Sequence, residues 1–187
     1  MLFEGQIRLP ALANFSMIKQ FLKTDIVYCI LVDFQLAELA DIIDDLKKHG
    51  RKVLVHADMI KGLSADEYGA IYLIQNCHVD GIISIKPKVI SIAKKRKVIA
   101  MQRIFLKDSI SLKRSLEVVE NALPDCLEIL PAVSGPLIKI IKDKVNCEVF
   151  CGGLISTEKQ IEDCLNSGAS GITVSDPTLW IDKSHLN

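Results

Sequence analysis

The sequence predicts a compact (β/α)8 barrel with a truncated last helix, in a single domain over residues 1–187. Three observations predict it. Short β-branched runs alternate strictly with helical patterns along the chain, and such alternation builds a parallel sheet. The runs number about eight, enough for the sheet to close on itself. Most of them end on a polar residue or a glycine, as barrel strands do at the end that carries function. One unit takes about 23 residues on average, so the loops must be minimal for a fold that commonly needs roughly 200–250 residues. A doubly wound open sheet is the alternative arrangement.

The elements follow in order. Residues 7–12 form a first strand, weakened by Pro10, which has no N–H to give a ladder. Asn14 is placed to cap a helix over Phe15–Lys23 through its side-chain oxygen. Ile26–Val32 is almost continuously apolar, the pattern of a strand buried on both faces. Leu36–His49 carries Leu36, Leu39, Ala40, Ile43 and Leu46 on one stripe and stops at Gly50. Val53–Ala57 is the third strand. Asp66–Asn76 is a helix with Tyr68, Ile71 and Tyr72 at core spacing. Gly81–Ile85 is a strand, and Pro87 suits the first turn of a helix to about Lys97. Val98–Phe105 is a strand, and Ser109 or Ser111 starts a helix ending at Ala122, before Pro124-Asp125. Leu127–Pro131 is a strand, and Gly135-Pro136 opens a helix to Lys144. Glu148–Gly152 leads into a helix from about Glu158 to Ser167, closed by Gly168. Ile172–Val174 is the last strand, followed by the stub Pro177-Thr178-Leu179-Trp180.

The composition is ordinary for a soluble globular protein, at 49% hydrophobic and 25% charged residues. No apolar run is long enough to cross a bilayer, and the N-terminus lacks the pattern of a signal peptide. A cytoplasmic protein with no membrane partner is the expectation. Cys29, Cys77, Cys126, Cys147, Cys151 and Cys164 contain no CxxC spacing and sit mostly in apolar runs. They read as buried thiols rather than disulfides or zinc ligands. Lys+Arg and Asp+Glu both number 23, which argues against broad, non-specific nucleic-acid binding. The distribution is uneven: ten basic residues and one acidic residue, Asp108, fall between Lys86 and Arg114. Lys94, Lys95, Arg96, Lys97, Lys113 and Arg114 are the candidates there for a polyanion-facing side. A solvated helix face is the plainer reading of the same charges.

At the expected C-terminal strand ends stand Asp33, His56 and Asp58, Ser84 and Lys86, Gln102 and Arg103, and Glu128. Buried charges are rare unless paired, so several meeting at one mouth favour a polar ligand over a chain of plugging ion pairs. His56 and Asp58, two apart on an extended strand, point the same way. No third ligand stands at metal spacing, which argues against a metal site. The pair Gly152-Gly153, with Ser156 or Thr157 opening a helix just beyond, suits a phosphate. Glycines admit close backbone approach, and a helix N-terminus supplies N–H groups and partial positive charge. Ser175 and Asp176 end the next strand, and phosphate sites in such barrels commonly form between the loops after strands seven and eight. A tight turn without ligand is the bland alternative.

Seven stretches then resemble one family. They are His56-Ala57-Asp58-Met59-Ile60-Lys61-Gly62-Leu63, Asp66-Glu67-Tyr68-Gly69, Gly81-Ile82-Ile83-Ser84, Gln102-Arg103-Ile104-Phe105, Glu128-Ile129-Leu130-Pro131, Gly152-Gly153-Leu154-Ile155 and Leu179-Trp180. In this order, over nearly the whole chain, they look like the glycerol-3-phosphate-responsive antiterminators, regulators of glycerol uptake and utilisation operons in bacteria. The resemblance implies a (β/α)8 barrel that binds glycerol 3-phosphate and acts on leader mRNA, with no catalysis and no cofactor. Four positions depart from the family pattern: Ile85, Ala132, Val174 and Asp176. A carboxylate at Asp176 is unfavourable beside a dianion unless it is paired or turned away.

The reading that follows is a ligand-gated RNA-binding regulator. Gly152, Gly153 and Ser175 hold the phosphate, helped by Lys86 or Arg103. Asp33, Asp58 or Glu128 accept hydrogen bonds from the glycerol hydroxyls, with His56 in the same set. A phosphosugar lyase or isomerase is the enzymatic alternative, with Lys86 as Schiff base and Asp58 or Glu128 as proton shuttle. A degenerate barrel that serves only as a protein partner is the third. A homo-oligomer stays open.

Overall fold

In the computed structural model the structure describes residues 2–132 and 136–182. Eight parallel strands close into a barrel in chain order. They are β1 (Arg8–Leu12), β2 (Tyr28–Leu31), β3 (Lys52–His56), β4 (Gly81–Ser84), β5 (Ile99–Phe105), β6 (Cys126–Leu130), β7 (Glu148–Gly152) and β8 (Gly171–Val174). Seven α-helices alternate with them: α1 (Phe15–Phe21), α2 (Leu36–Lys48), α3 (Glu67–Gln75), α4 (Pro87–Lys95), α5 (Ser109–Ala122), α6 (Pro136–Lys142) and α7 (Glu158–Asn166). The ring closes where Arg8, Leu9 and Pro10 of β1 register with Ile172, Thr173 and Val174 of β8. The open-sheet alternative is thereby excluded. The expected opening of α6 at Gly135 lies outside the described residues.

Alternate residues of each strand face two different cores. Leu9, Ile30, Leu54, Ile83, Met101 and Phe150 share the barrel interior. Phe3, from the segment before β1, packs beneath them, edge-on to Tyr28 and Phe150 with ring centroids 5.2 and 5.1 Å away. The outward residues, among them Leu31, Val55 and Ile82, pack with Leu39, Leu73 and Ile90 of the helices. A second outer cluster joins Leu127, Ile129 and Val149 to Leu116, Val119 and Ile141.

Local chemistry sets the helix ends. The side chains of Asn14, Asp66 and Thr157 each accept from the backbone N–H three residues on. At α5 the cap is Asp108, not Ser109 or Ser111. Ser111 is the return partner, its hydroxyl accepting from the Asp108 N–H at 3.0 Å. Gly50, at φ +73°, ends α2 in the left-handed conformation that glycine adopts without strain. After β8 the chain makes only a 3-10 turn, Pro177–Leu179, in place of an eighth helix. Trp180 then folds back, its indole Nε1 donating to the Val174 carbonyl at 3.3 Å.

The predicted core face of α3 is wrong. Tyr68 is 80% and Tyr72 38% exposed, while Gly69, Ala70 and Leu73 are buried. The small residues are turned inward because the preceding loop runs tight against this helix. A Cβ at Gly69 would lie 1.9 Å from the Ser64 carbonyl oxygen. Periodicity located the helix but could not rank its two apolar sides. Among the described residues, no helix is long and apolar enough to cross a membrane.

Candidate functional site

One layer above the apolar interior, the inward positions turn polar. Two residues on from Leu54, Met101, Cys126 and Phe150 stand His56, Arg103, Glu128 and Gly152, and strand geometry points them the same way. Arg103 and Glu128 are register partners on β5 and β6. Arg103 Nε donates to Glu128 Oε2 at 2.5 Å and Nη2 to Oε1 at 3.1 Å. The Thr173 hydroxyl of β8 donates to the same Oε1 at 2.6 Å. Glu128 is fully buried, so this bidentate pair and third hydrogen bond are what make its charge tolerable there.

Opposite this cluster, polar groups lack partners. Both ring nitrogens of His56 and Oδ1 of Asp58 are buried with no hydrogen bond among the described residues. Burial, reinforced by the Arg103 charge, pushes the imidazole pKa down to about 3. The ring is neutral at pH 7, so its 3.6 Å approach to Asp58 Oδ2 is not an ion pair and is too long for a hydrogen bond. Asp58 lies on the 3-10 turn Ala57–Met59 rather than on β3, and its Oδ2 accepts from the Ile85 N–H at 3.0 Å. Arg103 Nη1 touches only the Met59 sulfur among its described contacts, at 3.7 Å. Its N–H donors therefore remain for another acceptor.

The other predicted residues fall around this layer. Gly153 follows β7 at φ +75° and Leu154 at φ +61°, a left-handed step that brings the chain into α7. Gly152 has its own steric requirement: a Cβ there would sit 2.1 Å from Thr173 Oγ1 and 3.0 Å from Glu128 Oε1. At the start of α7 the N–H groups of Ser156 and Thr157 donate to Gln160 Oε1 at 2.8 and 3.1 Å. That capping engages the Ser156 and Thr157 N–H groups and leaves the Gly153–Leu154 step and exposed Ser175 beside the helix start. Asp176 caps the 3-10 turn, accepting from the Thr178 N–H at 2.9 Å and its hydroxyl at 2.8 Å. Asp33 is apart from the cluster, in an exposed pair with Lys61 at 3.2 Å. Lys86 is exposed where the β4 loop enters α4. Gln102 faces outward and donates from Nε2 to the carbonyls of Ser84 and Ile85 at 3.1 and 3.0 Å.

The basic candidates divide. Lys94, Lys95, Arg96 and Lys97 lie at the C-terminal end of α4. Helices in this fold run back against the strands, so that end is remote from the polar layer. Lys94 also pairs with Asp125. Lys113 and Arg114 lie in the first half of α5, exposed and nearer the mouth. Among the described residues no group of three or more His, Cys, Asp or Glu gathers as a metal site requires.

The family model of the glycerol-3-phosphate responsive antiterminators matches residues 8–180. The chain belongs to that family. The structure of a glycerol uptake operon antiterminator regulatory protein from Listeria monocytogenes str. 4b F2365 superposes with a TM-score of 0.93 at 32% identity, covering 99% of each chain. A glycerol uptake operon antiterminator-related protein from Thermotoga maritima MSB8 superposes at 0.82 and 28% identity, over 94% of this chain and 98% of that one. An uncharacterized Escherichia coli K12 protein, YgcP, is 26% identical over 145 residues, 78% of this chain and 76% of its own length. The antiterminator family is regulatory, and its barrel is the scaffold described above.

Sequence reasoning passed over Thr173, the second partner of Glu128. Its inward register opposite Gly152 is the signal that would have found it. Arg8 was also passed over. It is buried, yet it lies outside the barrel, bonded to Glu158 and to the Leu179 carbonyl.

Proposed function

We propose that this chain is a transcription antiterminator of glycerol utilisation genes, acting in the cytoplasm, that binds glycerol 3-phosphate at the barrel mouth and leader mRNA on its surface. One observation carries the ligand half: the Arg103–Glu128–Thr173 cluster shares the mouth end of the barrel with buried, unpartnered polar atoms of His56 and Asp58. Buried polar atoms without partners cost free energy, and a polyol with a dianionic head relieves that cost. The spare donors of Arg103, with Gly153 and Ser175, take the phosphate. His56 and Asp58 take the hydroxyls. The Asp176 carboxylate, engaged in its cap, is compatible with a dianion nearby.

Ligand binding then shifts the population between two forms that differ in RNA affinity, which requires the ligand to bind those forms unequally. The lyase reading finds less support, because exposed Lys86 lies outside the buried cluster. Calorimetric titration with glycerol 3-phosphate and a gel shift with leader RNA, with and without that ligand, test the proposal. Saturable binding abolished by Arg103→Met and a ligand-dependent shift are expected. Absence of both sinks it. Covalent mass at Lys86 after borohydride trapping with a phosphosugar would move the assignment to an enzyme.

A further inference from the structure

The proposed function leaves open where the RNA lies. Around the mouth, the loops after β4 and β5 combine exposed apolar side chains with an excess of basic ones. They are neighbours, because β4 pairs with β5 and α4 packs against α5. On them Ile85, Phe105 and Ile110 are 45%, 46% and 63% exposed. Interleaved with these stand Lys86, Lys88, Lys107, Lys113 and Arg114, all exposed. Asp108 is the acidic residue among them, and its carboxylate is committed to the α5 cap through the Ser111 N–H.

We propose that this sector of the mouth, rather than the end of α4, is the surface that receives single-stranded RNA. The basic side chains follow the phosphates, and Phe105 with its apolar neighbours accepts unstacked bases. Such a mixture suits single-stranded nucleic acid, for which backbone charge supplies affinity and aromatic faces supply stacking. A protein partner of ordinary composition would leave that excess of positive charge unanswered. The end of α4 offers lysines and an arginine without exposed aromatics, and Lys94 there is already neutralised by Asp125.

The same sector is tied to the polar layer. Asp58 Oδ2 holds the Ile85 N–H at 3.0 Å, and Gln102 holds the Ile85 carbonyl at 3.0 Å. The Ser84 hydroxyl accepts from the Lys86 N–H at 3.0 Å. A ligand that drew Asp58 toward itself would release or re-aim Ile85 and Lys86. Ligand occupancy and RNA affinity are thereby coupled through one hydrogen bond, with no long pathway.

The inference rests on the antiterminator reading, and the test separates their failures. Full-length wild type, K88A/K107A, F105A and K95A/R96A are compared, after circular dichroism shows that each is folded. The probe is the transcribed leader of a glycerol utilisation operon from the same genome, titrated across a salt series with and without glycerol 3-phosphate. K88A/K107A is expected to lower the salt slope by about 1.4, at ~0.7 per single-strand phosphate contact. F105A is expected to weaken binding on the order of tenfold with the slope intact. K95A/R96A is expected to lose less than either. Equal or larger losses at K95A/R96A overturn the assignment of the surface and leave the antiterminator reading standing. Self-association that F105A abolishes while RNA binding persists gives the face to a second copy and also overturns it. Wild type that binds no leader RNA under any condition overturns both.

Discussion

Arg103 and Glu128 face each other at one register position of the β5–β6 pair, joined by two hydrogen bonds of 2.5 and 3.1 Å. Glu128 is not tolerable there alone, since a buried charge without its partner is strongly destabilising. Together the two leave Arg103 Nη1 with the Met59 sulfur as its recorded acceptor, at 3.7 Å. The pair is thus a fixed internal counter-charge: it keeps the guanidinium oriented without consuming it.

Glu128→Ala is therefore expected to cost about 3–5 kcal/mol, the range for breaking a buried pair from one side. The double variant Arg103→Met/Glu128→Leu removes both charges and is expected to recover most of that loss. It should also fail to bind glycerol 3-phosphate. Urea denaturation of wild type and the two variants compares the losses. A double variant as unstable as Glu128→Ala would show that packing, not charge, dominates.

His56 makes stability depend on pH. Its folded pKa, held down to about 3 by burial and then by Arg103, lies below the unfolded value of about 6.5. The unfolded chain therefore binds the extra proton first. Its contribution is fully present above about pH 6.5 and is lost as pH falls toward 3, with a slope of up to about 1.4 kcal/mol per unit. His56→Gln is expected to flatten the stability profile in that window, as read by denaturant midpoints at successive pH values. An unchanged slope would mean that the imidazole is already charged in the fold.

Gly152→Ala is expected to destabilise by about 1–3 kcal/mol, as overpacking of a tight site does. The new methyl would meet Thr173 Oγ1 at 2.1 Å and Glu128 Oε1 at 3.0 Å. Adding Thr173→Ala should relieve the clash, so the double variant should lose less than the sum of the singles. Thermal melts of the four proteins decide it, and strict additivity would place the strain elsewhere.

Much of this was legible from local pattern. Strand runs, the Asn14 cap, the start of α7 at Ser156 or Thr157, and the missing eighth helix depend on neighbours in the chain. The barrel rule set Arg103 and Glu128 on one rim but gave them separate ligand roles, and their pairing follows only from the β5–β6 register. What stayed hidden depends on which face wins. Tyr68 and Tyr72 lost theirs because Gly69 admits the Ser64 carbonyl, a contact that an apolar count cannot see. Gly152 was read as a glycine for a ligand, yet the Thr173 hydroxyl already demands it, and only the β7–β8 register reveals that. Asp33 stands at the expected strand end but pairs outward with Lys61, because one left-handed residue at φ +66° re-aims it.

Arg8 shows the same limit at longer range, and it carries the last prediction. Its partner Glu158 is 150 positions away, beyond any local pattern. Nη1 and Nη2 donate to the two Glu158 oxygens at 2.9 and 2.8 Å, and Nη1 also reaches the Leu179 carbonyl at 2.9 Å. One buried guanidinium thus clamps α7 and the 3-10 turn against the closing strands β1 and β8, where a full eighth helix would otherwise pack. Arg8→Met keeps most of the apolar stem but removes the fork, so about 3 kcal/mol should go, near the low end for a broken pair because Glu158 is partly hydrated. The turn at Pro177–Leu179 should loosen first. Chymotryptic cleavage at Trp180 is expected to speed up in Arg8→Met well before global unfolding, and much less in Glu158→Gln, which keeps an acceptor for the fork. Equal cleavage rates in wild type and Arg8→Met would show that Trp180 and its bond to Val174 hold the turn without the clamp.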